Sequence, residues 1–146
     1  MKFVIDDGGR KAAGFKGKAG DCVCRAISIA SGVPYIDVWQ RLADGSYGQR
    51  SSSRTKKKER TADKGINTRR KWFREYMTRM GFEWVPTMKL GSGCVVHLRD
   101  GELPMGRLVV ALSKHYVAVV DGVIYDTHDC SRDGNRCVYG YFKLIN

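Results

Sequence analysis

Long apolar runs are missing from this sequence. Stretches such as Val117-Ala118-Val119-Val120 fall far short of the roughly 20 residues that cross a bilayer, so no membrane partner is expected. The first residues, Met1-Lys2-Phe3-Val4-Ile5-Asp6-Asp7, turn acidic at once and lack the apolar region of an export signal. Proline is scarce, at three among 146 residues, while 42% of the residues are hydrophobic, which excludes a disordered or proline-rich chain. No Cys-x-x-Cys pair occurs, so an ordinary zinc knuckle is excluded as well. The five cysteines, Cys22, Cys24, Cys94, Cys130 and Cys137, are an odd number without an export signal. A disulfide framework is therefore not expected, and a cytoplasmic protein with buried thiols, metal ligands or a nucleophile is.

Acidic residues are also few, 15 against 26 Lys and Arg, and the resulting charge of +11 is unevenly spread. Arg50 to Lys71 holds ten basic and two acidic residues, a net of +8, leaving only +3 for the rest of the chain. Such a segment is either a solvated loop or a binding surface for nucleic acid or an acidic protein.

At this length a single domain is expected, residues 1–146, with residues 44–66 as a basic, flexible insertion. A short strand over Lys2 to Asp6 precedes a glycine-rich stretch. Asp21 reads as the N-cap of a helix over residues 22–30, with Val23, Ala26, Ile27 and Ala30 at helical spacing and Gly32 closing it. Pro34 suits the first turn of a second helix, running to about Ala43 and burying Tyr35, Val38, Trp39 and Leu42. A third, from Asn67-Thr68 to Gly81, offers Trp72, Phe73, Tyr76, Met77 and Met80 to a core. Strands are then expected over 82–85, 94–98, 107–112, 115–120, 123–125 and 137–145. Asp121-Gly122 signals a two-residue hairpin turn, and helices followed by hairpins predict an α+β fold whose C-terminal sheet is antiparallel.

Cysteine catalysis needs a thiolate, a base for its proton and a group that orients the base. Cys22 sits in the first turn of the expected helix, where the macrodipole and free backbone N–H groups favour negative charge. A cationic neighbour there can bring a thiol from ~8.5 down to roughly 3.5–7.5. His115 opens the strand before the Asp121-Gly122 turn, and Asp126 ends the strand after it. Around that turn Asp126 faces Val117, two residues from His115 on the same face, a diagonal of ~7–8 Å within side-chain reach. His128 falls opposite His115 at the pocket rim, and Asp129 competes with Asp126.

Asp21-Cys22 opening a small-residue helix, then a histidine on an alternating strand and an acid after a turn, resembles the papain-like cysteine peptidases. The pattern is nearest to their bacterial, bacteriocin leader-processing branch. The resemblance covers about residues 14–32 and 107–130, and the chain as a whole is similar to small phage-encoded proteins. It implies a papain-like domain without cofactors and a protein or peptide substrate, with Cys22, His115 and Asp126 as nucleophile, base and orienting acid. The family places an oxyanion-stabilising glutamine six residues before the nucleophile. Here Lys16 occupies that position; Asp21 flanks the same region, with Lys18 and the Gly20 backbone as alternative donors.

Two other readings compete. Zinc could draw on Cys22, Cys24, Cys94, His97, Cys130 and Cys137, although Cys94 and His97 fall on opposite faces of a regular strand and read better as core, as does Cys24. A binding module would instead contact nucleic acid or an acidic protein through Arg54, Lys56, Lys57, Lys58, Arg60, Arg69 and Arg70.

Overall fold

β-Branched residues and a tight turn build the centre of the molecule. In the computed structural model, which describes residues 1–16, 20–48 and 66–145, Arg107–Leu112 and His115–Val120 form an antiparallel hairpin (β3 and β4). Asp121 and Gly122 both take positive φ, 48° and 78°, the twist that a two-residue hairpin turn requires. They lead into β5, Val123–Asp126, which pairs with β4 in the register expected, Val120 with Val123 and Ala118 with Tyr125.

On the other side of β3 lies β6, Gly140–Leu144, followed by β2, Phe82–Pro86, both antiparallel. The remaining strand, β1 (Lys2–Ile5), pairs with β5 in parallel. The six-stranded order is β1-β5-β4-β3-β6-β2. The sheet is thus mixed, not antiparallel throughout, because its N-terminal strand returns to the far edge beside the last strand of the hairpin. The fold is α+β, with three helices among the described residues.

Residues 94–98 do not form a strand; an isolated bridge between His97 and Cys137 is all the β-pairing there. Cys94 and Cys137 are joined in a disulfide 43 residues apart, contrary to the expectation that the thiols stay free. Cys94 is exposed and His97 half-buried, so neither belongs to the core. The N–H groups of Leu98 and Val138 donate to the carbonyls of Arg136 and Val96, both at 2.8 Å, and the disulfide adds a covalent tie to that short pairing.

Helix α1, Cys22–Ser31, lies chiefly across β4 and buries Val23, Cys24, Ala26, Ile27 and Ala30. It ends as expected at Gly32, in the left-handed conformation at φ 76°, whose N–H reaches the carbonyl of Ser28. Helix α2, Tyr35–Gly48, runs past the expected end at Ala43, because Gly45 lies flush against the Trp72 indole and lets the helix continue. Helix α3, Lys71–Arg79, begins four residues later than Asn67, whose side chain and carbonyl hold a separate turn with Arg69 and Arg70.

One core lies between the helices and the sheet, around Ile27, Leu42, Phe73 and Phe142. A second covers the opposite face with Leu108, Val110, Val117, Val119 and Ile124. Each such buried side chain contributes roughly 1.5–3 kcal/mol. Gly140 is the fine adjustment. A Cβ there would collide with the Trp84 indole and approach the Val85 carbonyl to 3.0 Å. Gly140→Ala is therefore expected to destabilise the protein by about 1–3 kcal/mol through overpacking, read as a lowered urea midpoint.

Among the described residues no helix is long and apolar enough to cross a membrane. Of the 44–66 insertion, residues 49–65 lie outside the described residues, and with them Arg54, Lys56, Lys57, Lys58 and Arg60.

Candidate active site

Cys22 is the first residue of α1, half-buried where the helix start meets the start of β4. The aspartate before it does something other than cap. Asp21 is 1% exposed and makes no side-chain cap bond. Its carboxylate pairs with Arg25, lies 3.5 Å from the Arg10 guanidinium and accepts a 2.6 Å bond from the Tyr35 hydroxyl. A buried carboxylate needs such partners, and satisfying them locks the segment before Cys22. Burial, and then the bond to Asp21, push the Tyr35 phenol well above its usual range, so it stays a donor. Neither an N-cap nor an oxyanion role remains for the Asp21 side chain.

His115 opens β4, and its Nε2 lies 2.6 Å from Oδ2 of Asp126 at the end of β5. Asp126 is 3% exposed; its Oδ1 accepts the Thr127 N–H at 2.7 Å and receives Arg25 Nη2 at 3.4 Å. Arg25 therefore joins the helix of the thiol to the strand of the acid. Asp129 is not a rival, since its Oδ1 is taken by the N–H and hydroxyl of Ser131 at 2.9 and 2.7 Å.

The three groups share one electrostatic arrangement. Burial pushes the Cys22 thiol up, but the His115 hydrogen bond and charge, the Tyr116 backbone N–H and Arg25 together bring it below its ordinary value. Burial pulls the His115 imidazole down, yet its bonds to Asp126, Cys130 and Cys22 outweigh that and carry it up to about 11. Asp126 is raised by burial and lowered further by His115, Thr127 and Arg25, so it stays ionised. Nε2 is committed to Asp126, and the same ring also bonds the thiols of Cys130 and Cys22. The arrangement favours a thiolate beside an imidazolium.

Cys24 is fully buried, its Sγ 3.8 Å from the Tyr35 carbonyl, and belongs to the core as expected. Two clefts meet at Cys22, Lys114 and His115. One, of about 520 Å³, runs towards Arg69, Arg74 and Trp84. The other, of about 910 Å³, contains Lys16, the Gly20 backbone, Arg25 and His128. Lys16 thus shares a cleft with Cys22, although its structure-making contact is its carbonyl, 3.3 Å from Arg10 Nη2. Lys18 lies outside the described residues. His128 sits at the rim, its ring 5.4 Å from that of His115. Arg69 is exposed in the smaller cleft, while half-buried Arg70 is the residue preceding α3.

The zinc set read from the sequence does not assemble. Cys94 and Cys137 are paired with each other, and His97 turns to Glu102 at 3.2 Å. Among the described residues the group that could hold a cation is His115, Asp126 and Cys130, with donor atoms within 4.8 Å of one another.

Four contributors escaped the sequence reading: Arg25, Lys114, Cys130 and the Tyr116 N–H. Arg25 had a signal, standing one helical turn after Asp21. Lys114 and Tyr116 flank His115. Cys130 had none, because only the fold carries it behind His115.

No protein-family model, curated protein or solved structure matches this chain.

Proposed function

We propose that this protein is a papain-like cysteine hydrolase that cleaves a peptide, isopeptide or other amide bond through a thioester. The observation that carries the reading is the buried 2.6 Å His115–Asp126 bond set beside a thiol at a helix start. A histidine so held, with its value raised, is a proton store for a thiolate whose value is lowered.

Cys22 Sγ attacks the carbonyl carbon, forming the C–S bond as the π pair moves to oxygen. First-turn N–H groups of α1, which have no acceptor inside the helix, are available to that oxyanion, with Lys16 in the same cleft. The pair returns, the C–N bond breaks, and the amine leaves with the proton from His115. Water then attacks the thioester and His115 takes its proton. The C–S bond breaks, leaving the acid product and the Cys22 thiolate beside the imidazolium. Asp126 holds the ring in one orientation throughout, and Arg25 holds Asp126.

The test is site-resolved alkylation with iodoacetamide, followed by mass spectrometry across pH. Cys22 is expected to label at least about tenfold faster than Cys24 or Cys130 below neutrality, as a depressed thiol does. Cys22→Ser removes turnover of any amide substrate and Cys24→Ser does not. Equal labelling of the three thiols, or equal turnover in the two variants, sinks the reading.

A further inference from the structure

The smaller cleft beside Cys22 has a charge pattern that thioester chemistry does not require. Besides His115, three cations, Arg69, Arg74 and Lys114, line it and no carboxylate does. All three are exposed, and among the described residues none forms an ion pair. They come from separate places, the turn before α3, α3 itself and the β3–β4 turn, and converge on one cavity. Lys114 holds a left-handed backbone at φ 56°, which a lysine adopts at a cost, directly before His115.

Like charges left facing one opening repel each other and attract an anion, and low-dielectric walls sharpen the field. Trp84, Tyr139 and Phe142 provide such walls. The opening, about 520 Å³, suits one or two side chains. Because Cys22 and His115 also line it, a substrate seated there places its scissile carbonyl beside the thiol. A peptide does this, whereas a nucleic-acid backbone has no amide to cleave.

We propose that this cleft binds an acidic stretch of a peptide substrate, with Arg69, Arg74 and Lys114 engaging its carboxylates next to the scissile bond. As a statement about substrate it rests on the Cys22 reading. As a statement about binding it is tested without catalysis.

The experiment uses the full chain carrying Cys22→Ala. Blocked hexapeptides with two adjacent glutamates, or two lysines in their place, are titrated by calorimetry. The acidic peptide is expected to bind at least about tenfold more tightly at low salt, a margin that shrinks as salt screens the pairing. The double substitution Arg69→Gln with Arg74→Gln removes the preference. Because both side chains are exposed, circular dichroism should be unchanged, and Lys114→Gln provides an independent second variant that weakens the acidic peptide alone. Equal affinity for the two peptides overturns the proposal, as does a preference that survives the double substitution. So does a thymidine oligonucleotide that binds through the same arginines while the acidic peptide does not. Any of these results leaves Cys22 alkylation as a separate question, and an inert Cys22 leaves the binding result standing.

Discussion

His115→Ala slows alkylation of Cys22 by more than tenfold near neutrality, and the difference vanishes in strong alkali. Without the imidazole, the thiol loses its two strongest lowering influences, the His115 hydrogen bond and the His115 charge, and keeps the burial that raises it. A thiol at its ordinary value of 9.0 is only about 1% ionised at pH 7, and burial leaves less. Two effects oppose each other in the wild type. Each unit of depression multiplies the thiolate about tenfold but weakens its nucleophilicity about threefold, so roughly threefold per unit survives. The pH profile separates the proteins further. Wild-type labelling climbs through the depressed Cys22 value and then stays level, because His115 keeps its proton until about 11. The variant has no such plateau and rises only in alkali. A variant profile that overlays the wild type removes His115 from the mechanism.

Arg25→Met should cost about 3 kcal/mol in urea denaturation at neutral pH, and it should disturb the site along with the fold. The guanidinium side chain is 11% exposed and bridges two carboxylates, Asp21 at 0% and Asp126 at 3%. Removing one partner of a buried pair commonly costs about 3–5 kcal/mol. The lower end applies because Asp21 keeps Arg10 and Tyr35, and Asp126 keeps His115. The sign with pH is fixed by Asp126. Its folded value is lowered, so its contribution is present above 3.8 and lost as pH falls through the depressed value. The deficit of the variant should therefore shrink in acid. A loss below about 0.5 kcal/mol, the range of an ordinary surface change, would show that Arg25 bridges nothing of consequence.

The hairpin carrying His115 and Asp126 was readable in advance because its geometry is local. Asp121-Gly122 admits essentially one turn, and that turn dictates the register for every residue on either side. The start of α1 was readable for a similar reason, since helical spacing and Gly32 bracket it. What stayed hidden depends on distant partners. Nothing local in Lys2–Ile5 says that it pairs in parallel with β5. Nothing in Cys94-Val95-Val96-His97 distinguishes a strand from a loop tied down by Cys137. Asp21 shows the opposite failure. Its preference for helix starts is real, but two arginines and a tyrosine claim its carboxylate for a stronger purpose. The sequence contained no hint that Arg25 reaches Asp126, a bond that spans 101 residues.

That span has a consequence for the order of events in a cell. A ribosome releases α1 with its cysteine early, while the acid arrives about a hundred residues later, a gap of roughly 5–20 seconds at ordinary elongation rates. During that interval Cys22 has neither His115 nor the strand that carries it, so the influences that lower the thiol are missing. β1 must likewise wait for β5 before it has a neighbour. The pairing of His115 with Asp126, and with it the lowering of the Cys22 thiol, therefore waits until β4 and β5 have both emerged.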